Sequence, residues 1–231
     1  MIHVSFLIEP TQKSNVLEEL GHTLLNDTER SRLLRYTRTD SKRQLRLSRW
    51  LVHEQLARSF PDLPRSWKLA SDITGRPIAV HSELDNEINY SLSHCDGLIV
   101  CVVSDSAAIG IDAEPKNQPI KDSFLNVAFT PLEREQIRNC SADSLDEMRL
   151  RWTIKESLGK MTGQVGFESI VAFCTGTVSH LDPLSFVFVE AYGAWLCCLP
   201  FSNGHFITLV VAQDRLLPPE IVTFDAARWS E

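Results

Sequence analysis

The chain has 231 residues, 43% hydrophobic and 23% charged, with a formal net charge of −7. Length and composition fit one large globular domain or two small ones, and the acidic balance argues against general nucleic-acid binding. The longest apolar run, Leu98 to Val103, is too short to span a bilayer.

Met1–Ile8 reads as a strand. Its opening, MIHVSFLIEP, lacks the basic region, long apolar stretch and small-residue cleavage site of a signal peptide, so no leader is expected. Val16, Leu17, Leu20 and Leu24 have helical spacing. Thr28–Tyr36 and Ser41–Phe60 read as further helices, the second ended by Pro61 and Pro64. TGRP at 74–77 is a turn. Ile88–Leu92 and Leu98–Ser104 read as strands around the polar SHCDG, and Ala107–Ala113 as another. Helical patterns at about 119–139 and 144–162 follow. Strand-like runs at 167–174, 185–191, 194–199 and 205–212 close the chain, and from Pro218 onward a loop with a short terminal element is expected.

Charge is uneven along this path. Residues 27–58 hold nine Arg or Lys against four acids, so that window is +5 and the rest of the chain −12. A solvated helix face would explain it, and so would a site for an anionic ligand or partner. The six cysteines form no C-x-x-C pair, and four lie in strand-like apolar runs. They read as buried thiols of a cytoplasmic protein, not as disulfides or zinc ligands.

RWLVHEQLAR at 49–58 returns as RWTIKESLGK at 151–160, at a constant offset of 102 residues. The order of elements around the two segments recurs as well. This points to an internal duplication with a boundary near 105, giving an N-terminal half, 1–105, and a C-terminal half, 106–231. Two such α+β halves are expected to pack about a pseudo-twofold axis.

In AIGIDAEP, 108–115, strand alternation sends Ile109, Ile111 and Ala113 one way and Gly110, Asp112 and Glu114 the other. The two acids would lie about 6.5–7 Å apart on one face, close enough to share a hard cation. A solvated edge is the alternative. Gly110 leaves room for a ligand or another backbone to approach. In the second repeat helix, Leu150, Ile154, Leu158 and Met161 form an apolar stripe. Trp152, Lys155, Glu156, Gly159 and Lys160 fall on the opposite arc. That arc reads either as a solvated face with a Glu156–Lys160 pair or as a working face. Together the two segments offer three carboxylates and two ammonium groups, which suits Mg²⁺-assisted reaction at a pyrophosphate.

IGIDAEP followed by WTIKESLGK resembles the two signature motifs of the 4′-phosphopantetheinyl transferases. GRP at 75–77, YSLSHCDGLIVCVVS at 90–104 and FTPLERE at 129–135 are similar to further motifs of that family. The duplicated length resembles its Sfp-type, two-copy branch, which implies that fold and a monomer. The resemblance implies transfer of the 4′-phosphopantetheine arm of coenzyme A to a serine of an apo acyl or peptidyl carrier protein, releasing 3′,5′-ADP. By motif match, Asp112, Glu114 and Glu156 would hold Mg²⁺. Glu156, or a water it orients, would take the serine proton, and Lys155 and Lys160 would neutralise phosphate charge. Ser93 and His94 would contact the nucleotide, with His94 at the 3′-phosphate, Arg76 beside the adenosine, and Arg43, with Arg30 or Arg32, also at the 3′-phosphate. Glu133 matches a family acid near the metal, and Trp152 would support the helix. Cys95 stands where the family has a small hydroxyl, and Gly159 where a bulkier residue is common. A Mg²⁺-dependent hydrolase of CoA or another nucleotide pyrophosphate would use the same acids. A non-catalytic module binding CoA or a carrier protein is the remaining alternative.

Overall fold

The computed structural model describes residues 1–8, 14–116, 118–140, 143–164, 166–176, 185–199, 204–213 and 218–225. The fold is α+β, with two sheets and seven α-helices among these residues.

Strand β1 (Ile2–Ile8) leads into helices α1 (Ser14–Thr23), α2 (Asp27–Arg35) and α3 (Thr39–Ser59), then strands β2 (Lys68–Ser71), β3 (Pro77–Val80), β4 (Ile88–Cys95) and β5 (Leu98–Ser104). The chain continues through β6 (Ile109–Pro115), α4 (Asp122–Ala128), α5 (Pro131–Asn139), α6 (Ser144–Thr162) and α7 (Phe167–Ala172). It closes with β7 (Phe186–Val189), a 3-10 turn (Glu190–Tyr192), β8 (Ala194–Leu199), β9 (His205–Ala212) and β10 (Ile221–Asp225). One sheet has the order β10-β1-β5-β4-β3-β2 and the other β6-β9-β8-β7. The run β1-β5-β4-β3 thus has the same connectivity as β6-β9-β8-β7. In each, the long helix carrying the repeated sequence packs on the first two strands: α3 on β1 and β5, α6 on β6 and β9.

The sheets face each other through Ile2, Val4, Val100 and Val102 on one side and Ile109, Ile111, Leu209 and Val211 on the other. Leu47, Leu51 and Leu56 of α3 cover the opposite face of the first sheet, and Ile154, Leu158 and Met161 of α6 that of the second. A strand covered on both faces must be apolar throughout. That is why LIVCVVS of β5 shows no alternation and is buried at every position.

Two sequence expectations about elements are corrected. The single pattern at 119–139 is two helices: Phe129–Thr130 is extended, and Pro131 opens α5 beneath a capping box in which Thr130 and Glu133 bond each other's backbone N–H. Residues 167–172 are helical, not a strand, because Ile170 of this short apolar run turns into the protein beside α6. The short strands β2 and β3 flank the TGRP turn, in which Gly75 has φ +88°. The terminal element is β10, which pairs in parallel with β1; anything beyond Asp225 lies outside the described residues. None of the six cysteines is in a disulfide, and Cys174 is exposed where burial was expected. No helix among the described residues is long and apolar enough to cross a membrane.

Candidate active site

Helix α6 lies directly on β6 at Gly110. A Cβ there would sit 1.9 Å from Ser157 O and 2.7 Å from Met161 N, so only glycine admits the helix backbone. Ser157 secures the crossing by donating to Thr208 O on β9 at 2.9 Å. The crossing brings Glu156 and Lys160 to the face of β6 that carries Asp112 and Glu114. A cavity of about 640 Å³ opens there, lined by all four. Its remaining wall includes Arg38, Ser41, Arg43 and Gln44 from the start of α3, and Ser93, His94 and Cys95 from the end of β4.

Asp112 is the hub. It is buried, and its Oδ1 accepts from Ser93 Oγ at 2.7 Å and from Lys160 Nζ at 2.7 Å. Lys160 also donates to Ile111 O at 3.0 Å. Oδ2 of Asp112 is buried and takes no hydrogen bond from Ser93 or Lys160. Burial, and then the charge of Asp112, push the Glu114 carboxyl up to about 7. The same two causes push Glu156 up to about 7, and its carboxyl also hydrogen-bonds Asp112. Burial and the Lys160 ammonium hold the His94 imidazole below its ordinary value. Burial and the neighbouring Glu114 push the Cys95 thiol up to about 12, so it stays protonated and is no nucleophile at neutral pH.

Three acids crowded around one ammonium form a site short of positive charge. Among the described residues, no group of three or more His, Cys, Asp or Glu side chains is already arranged to hold a metal ion. The donor set nevertheless suits a hard divalent cation. It supplies the oxygens of three carboxyls, gathered where burial and mutual repulsion raise two of them.

The other expected residues divide. Arg43 lines the cavity, 4.0 Å from Glu18 through Nε. Lys155 does not line it: its side chain is fully buried, donating to Glu133 Oε2 at 3.0 Å and Val171 O at 3.1 Å, with its ammonium over the Phe129 ring. The polar arc of α6 is therefore split, because α5 and the end of α7 cover the side that carries Lys155. Glu133 is also fully buried, accepting from Thr175 N and Oγ1, Thr130 N and Lys155, which places it outside the cavity. Gly159 is crowded by Gln164 O and Ile170, not opened to a ligand. Trp152 stacks among Phe124 and Phe167.

Arg76 is bound to Asp72 at 2.8 Å and reaches Met161 O at 3.4 Å, at the end of α6, outside the cavity lining. Arg30 donates to Leu25 O, and Arg32 lies over the Tyr36 ring. In the first repeat, Glu54 is paired with Arg58 and Arg65, so the counterpart of Glu156 is neutralised. Arg38, Ser41 and Gln44 were not singled out by the sequence motifs. Their only signal was the basic window that contains them.

A family model described as the 4′-phosphopantetheinyl transferase superfamily matches residues 108–191, which span β6 and α6. That segment is similar to the superfamily's members. Two similar proteins are named 4′-phosphopantetheinyl transferases. HetI from Nostoc sp. is 28% identical over 155 residues, covering 66% of this chain and 65% of that protein. Svp from Streptomyces mobaraensis is 39% identical over 75 residues, 30% of each chain. The chain therefore spans just under two thirds of HetI and about a third of Svp. The matched segment supplies Asp112, Glu114, Glu156 and Lys160. The arginines of the facing wall lie outside it, in α3 and the turn before it.

Proposed function

We propose that this chain is an Sfp-type 4′-phosphopantetheinyl transferase. It moves the phosphopantetheine arm of coenzyme A to a serine hydroxyl of an apo acyl or peptidyl carrier protein, with Mg²⁺, and releases 3′,5′-ADP. The observation that carries the reading is one cavity with two unlike walls. Asp112, Glu114, Glu156 and Lys160 form one; the other carries Arg38, Arg43 and His94 together with Asp40, which pairs with Arg38, and Asp96. A nucleotide with both a pyrophosphate and a remote phosphate needs both kinds of wall. The proposal includes two halves meeting at residue 105, one bearing the acids and the other most of the basic wall, in a cytoplasmic monomer.

Asp112, Glu114 and Glu156 would hold the cation, which supplies charge neutralisation at the pyrophosphate. Lys160, now on Asp112, is placed to turn toward phosphate oxygens and the developing charge of the leaving group. Arg43 and Arg38 orient the 3′-phosphate. Glu156 accepts the serine proton, directly or through a water. The serine oxygen then bonds to the phosphorus bearing the pantetheine arm. The bond from that phosphorus to the bridging oxygen breaks, and its electron pair leaves on 3′,5′-ADP.

The test is intact-mass spectrometry of a panel of apo carrier proteins incubated with the chain, CoA and Mg²⁺, with an EDTA control. A carrier that gains one phosphopantetheine arm only with metal is the expected result. CoA consumed with no carrier modified would replace the transferase with a hydrolase. Intact CoA and unmodified carriers across a broad panel would reduce the chain to a binding module.

A further inference from the structure

The end of β4 carries a hydroxyl whose bonding does not match the role its motif implies. We infer that Ser93 is a positioning residue for Asp112, directing which carboxylate oxygen is left for a cation, and does not hold the nucleotide. The inference rests on the proposed cation site.

A hydroxyl has one proton to donate. Ser93 gives its proton to Asp112 Oδ1 at 2.7 Å and accepts Ala113 N–H at 3.3 Å. Ser93 is itself buried, 6% exposed. No proton remains for a phosphate or a ribose. The neighbouring Ser91 accepts Ile111 N–H at 3.2 Å in the same way. The outer edge of β6 thus meets serine hydroxyls where another strand could have paired, and the two serines hold its backbone in register.

Ser91 bonds the backbone and no carboxylate, so of the two serines only Ser93 acts on the side chain of Asp112. With Ser93 and Lys160 both on Oδ1, Oδ2 is the oxygen left to face the Glu156 carboxyl and a cation. Lys160 sits on a flexible stem and is needed at the substrate. Ser93 is on a strand and keeps Asp112 oriented when Lys160 leaves. Partners behind a metal ligand commonly change metal affinity tenfold to a hundredfold when removed.

The experiment titrates the full chain with Mn²⁺, followed by electron paramagnetic resonance, for wild type, Ser93→Ala and Ser93→Thr. Calorimetry in EDTA measures 3′,5′-ADP binding by the same proteins. Ser93→Ala should weaken Mn²⁺ binding about tenfold or more, Ser93→Thr should restore it, and 3′,5′-ADP affinity in EDTA should be unchanged. Wild-type Mn²⁺ affinity in Ser93→Ala, or lost 3′,5′-ADP affinity in EDTA, would overturn the inference. Wild type that binds no Mn²⁺ is a different failure: it removes the cation site itself, and this role with it. If Ser93→Ala does not fold, Ser93→Cys keeps the volume while weakening the hydrogen bond, and takes its place in both measurements.

Discussion

Lys155 and Glu133 are bonded at 3.0 Å with neither side chain exposed. The pair ties α6 to α5, and Glu133 passes the connection on to Thr175. Two adjacent residues of one helix thus serve opposite purposes: Lys155 faces inward to hold the helix, while Glu156 faces the cavity.

Lys155→Met is therefore expected to act on stability. Breaking a buried ion pair costs about 3–5 kcal/mol. The lower end fits here, because Glu133 keeps its donors from Thr130 and Thr175. Urea unfolding measures it. A Lys155→Met protein of normal stability with lost phosphate affinity would return Lys155 to the substrate.

Gly110→Ala should damage the crossing of α6 on β6. Its Cβ would meet backbone atoms, which cannot rotate away as a side chain would. Overpacking costs about 1–3 kcal/mol and sometimes more, and contact with Ser157 O at 1.9 Å points to the upper end. Thermal unfolding reports the loss. An unchanged midpoint would mean that the crossing tolerates a wider separation.

Stability should also carry the imprint of the crowded acids. Glu114 and Glu156 are each raised from 4.5 to about 7 in the folded chain. Between those values the folded state binds more protons than the unfolded one, so stability falls as pH rises through that window. Asp72 and Glu133 lie below their ordinary range and act with the opposite sign, at more acidic pH. His3, His53 and His94 are held below their ordinary value and oppose this fall up to about pH 6.5, so in EDTA the urea midpoint should fall from about pH 6.5 to about pH 7.5. Glu114→Gln with Glu156→Gln should flatten that slope, and Mg²⁺ should raise the midpoint chiefly at the upper end. A slope that survives the double substitution would assign it to other groups.

Arg43→Ala should chiefly raise KM for CoA, about tenfold to a hundredfold for the loss of a charge-assisted contact. The increase should be far smaller for 3′-dephospho-CoA. Equal increases for both would remove Arg43 from the 3′-phosphate.

Glu156→Gln should lower kcat by orders of magnitude while the chain remains folded, because the amide can neither accept the serine proton nor carry ligand charge. Steady-state kinetics with a modifiable carrier measures it. Near-normal kcat would exclude Glu156 as the base.

Helix α6 was legible at full length because its apolar stripe is regular and its limits are marked: Asp143 caps the start, and Gly163 closes the end at φ +79°. Strand alternation likewise separated Asp112 and Glu114 from Ile111 and Ala113. The fate of Lys155 was not legible. A helical angle says which side a residue faces, not what else packs there, and Phe129, Glu133 and Val171 arrive from other elements. The capping box at Thr130 was present in TPLE, yet Glu133 matched a catalytic motif equally well, and only burial separates the two roles. Strands β2 and β3 were missed because four residues give too few alternations, and FESIVA is too short for its period to tell helix from strand.

The parallel pairing of β10 with β1 sets an order in time. During synthesis β1 emerges first, and the neighbour that covers its outer edge emerges more than two hundred residues later, Ile221 opposite Ile2. Until then β1 presents a row of unpaired N–H and C=O groups, the kind of edge that invites pairing with another chain. Asp112, Glu114 and Glu156 reside in the second sheet and its helix, but the last described strand is the one that seals the first sheet. A chain stopped before residue 221 would have every charged group of the cavity in place and still carry an open, aggregation-prone edge on the opposite sheet.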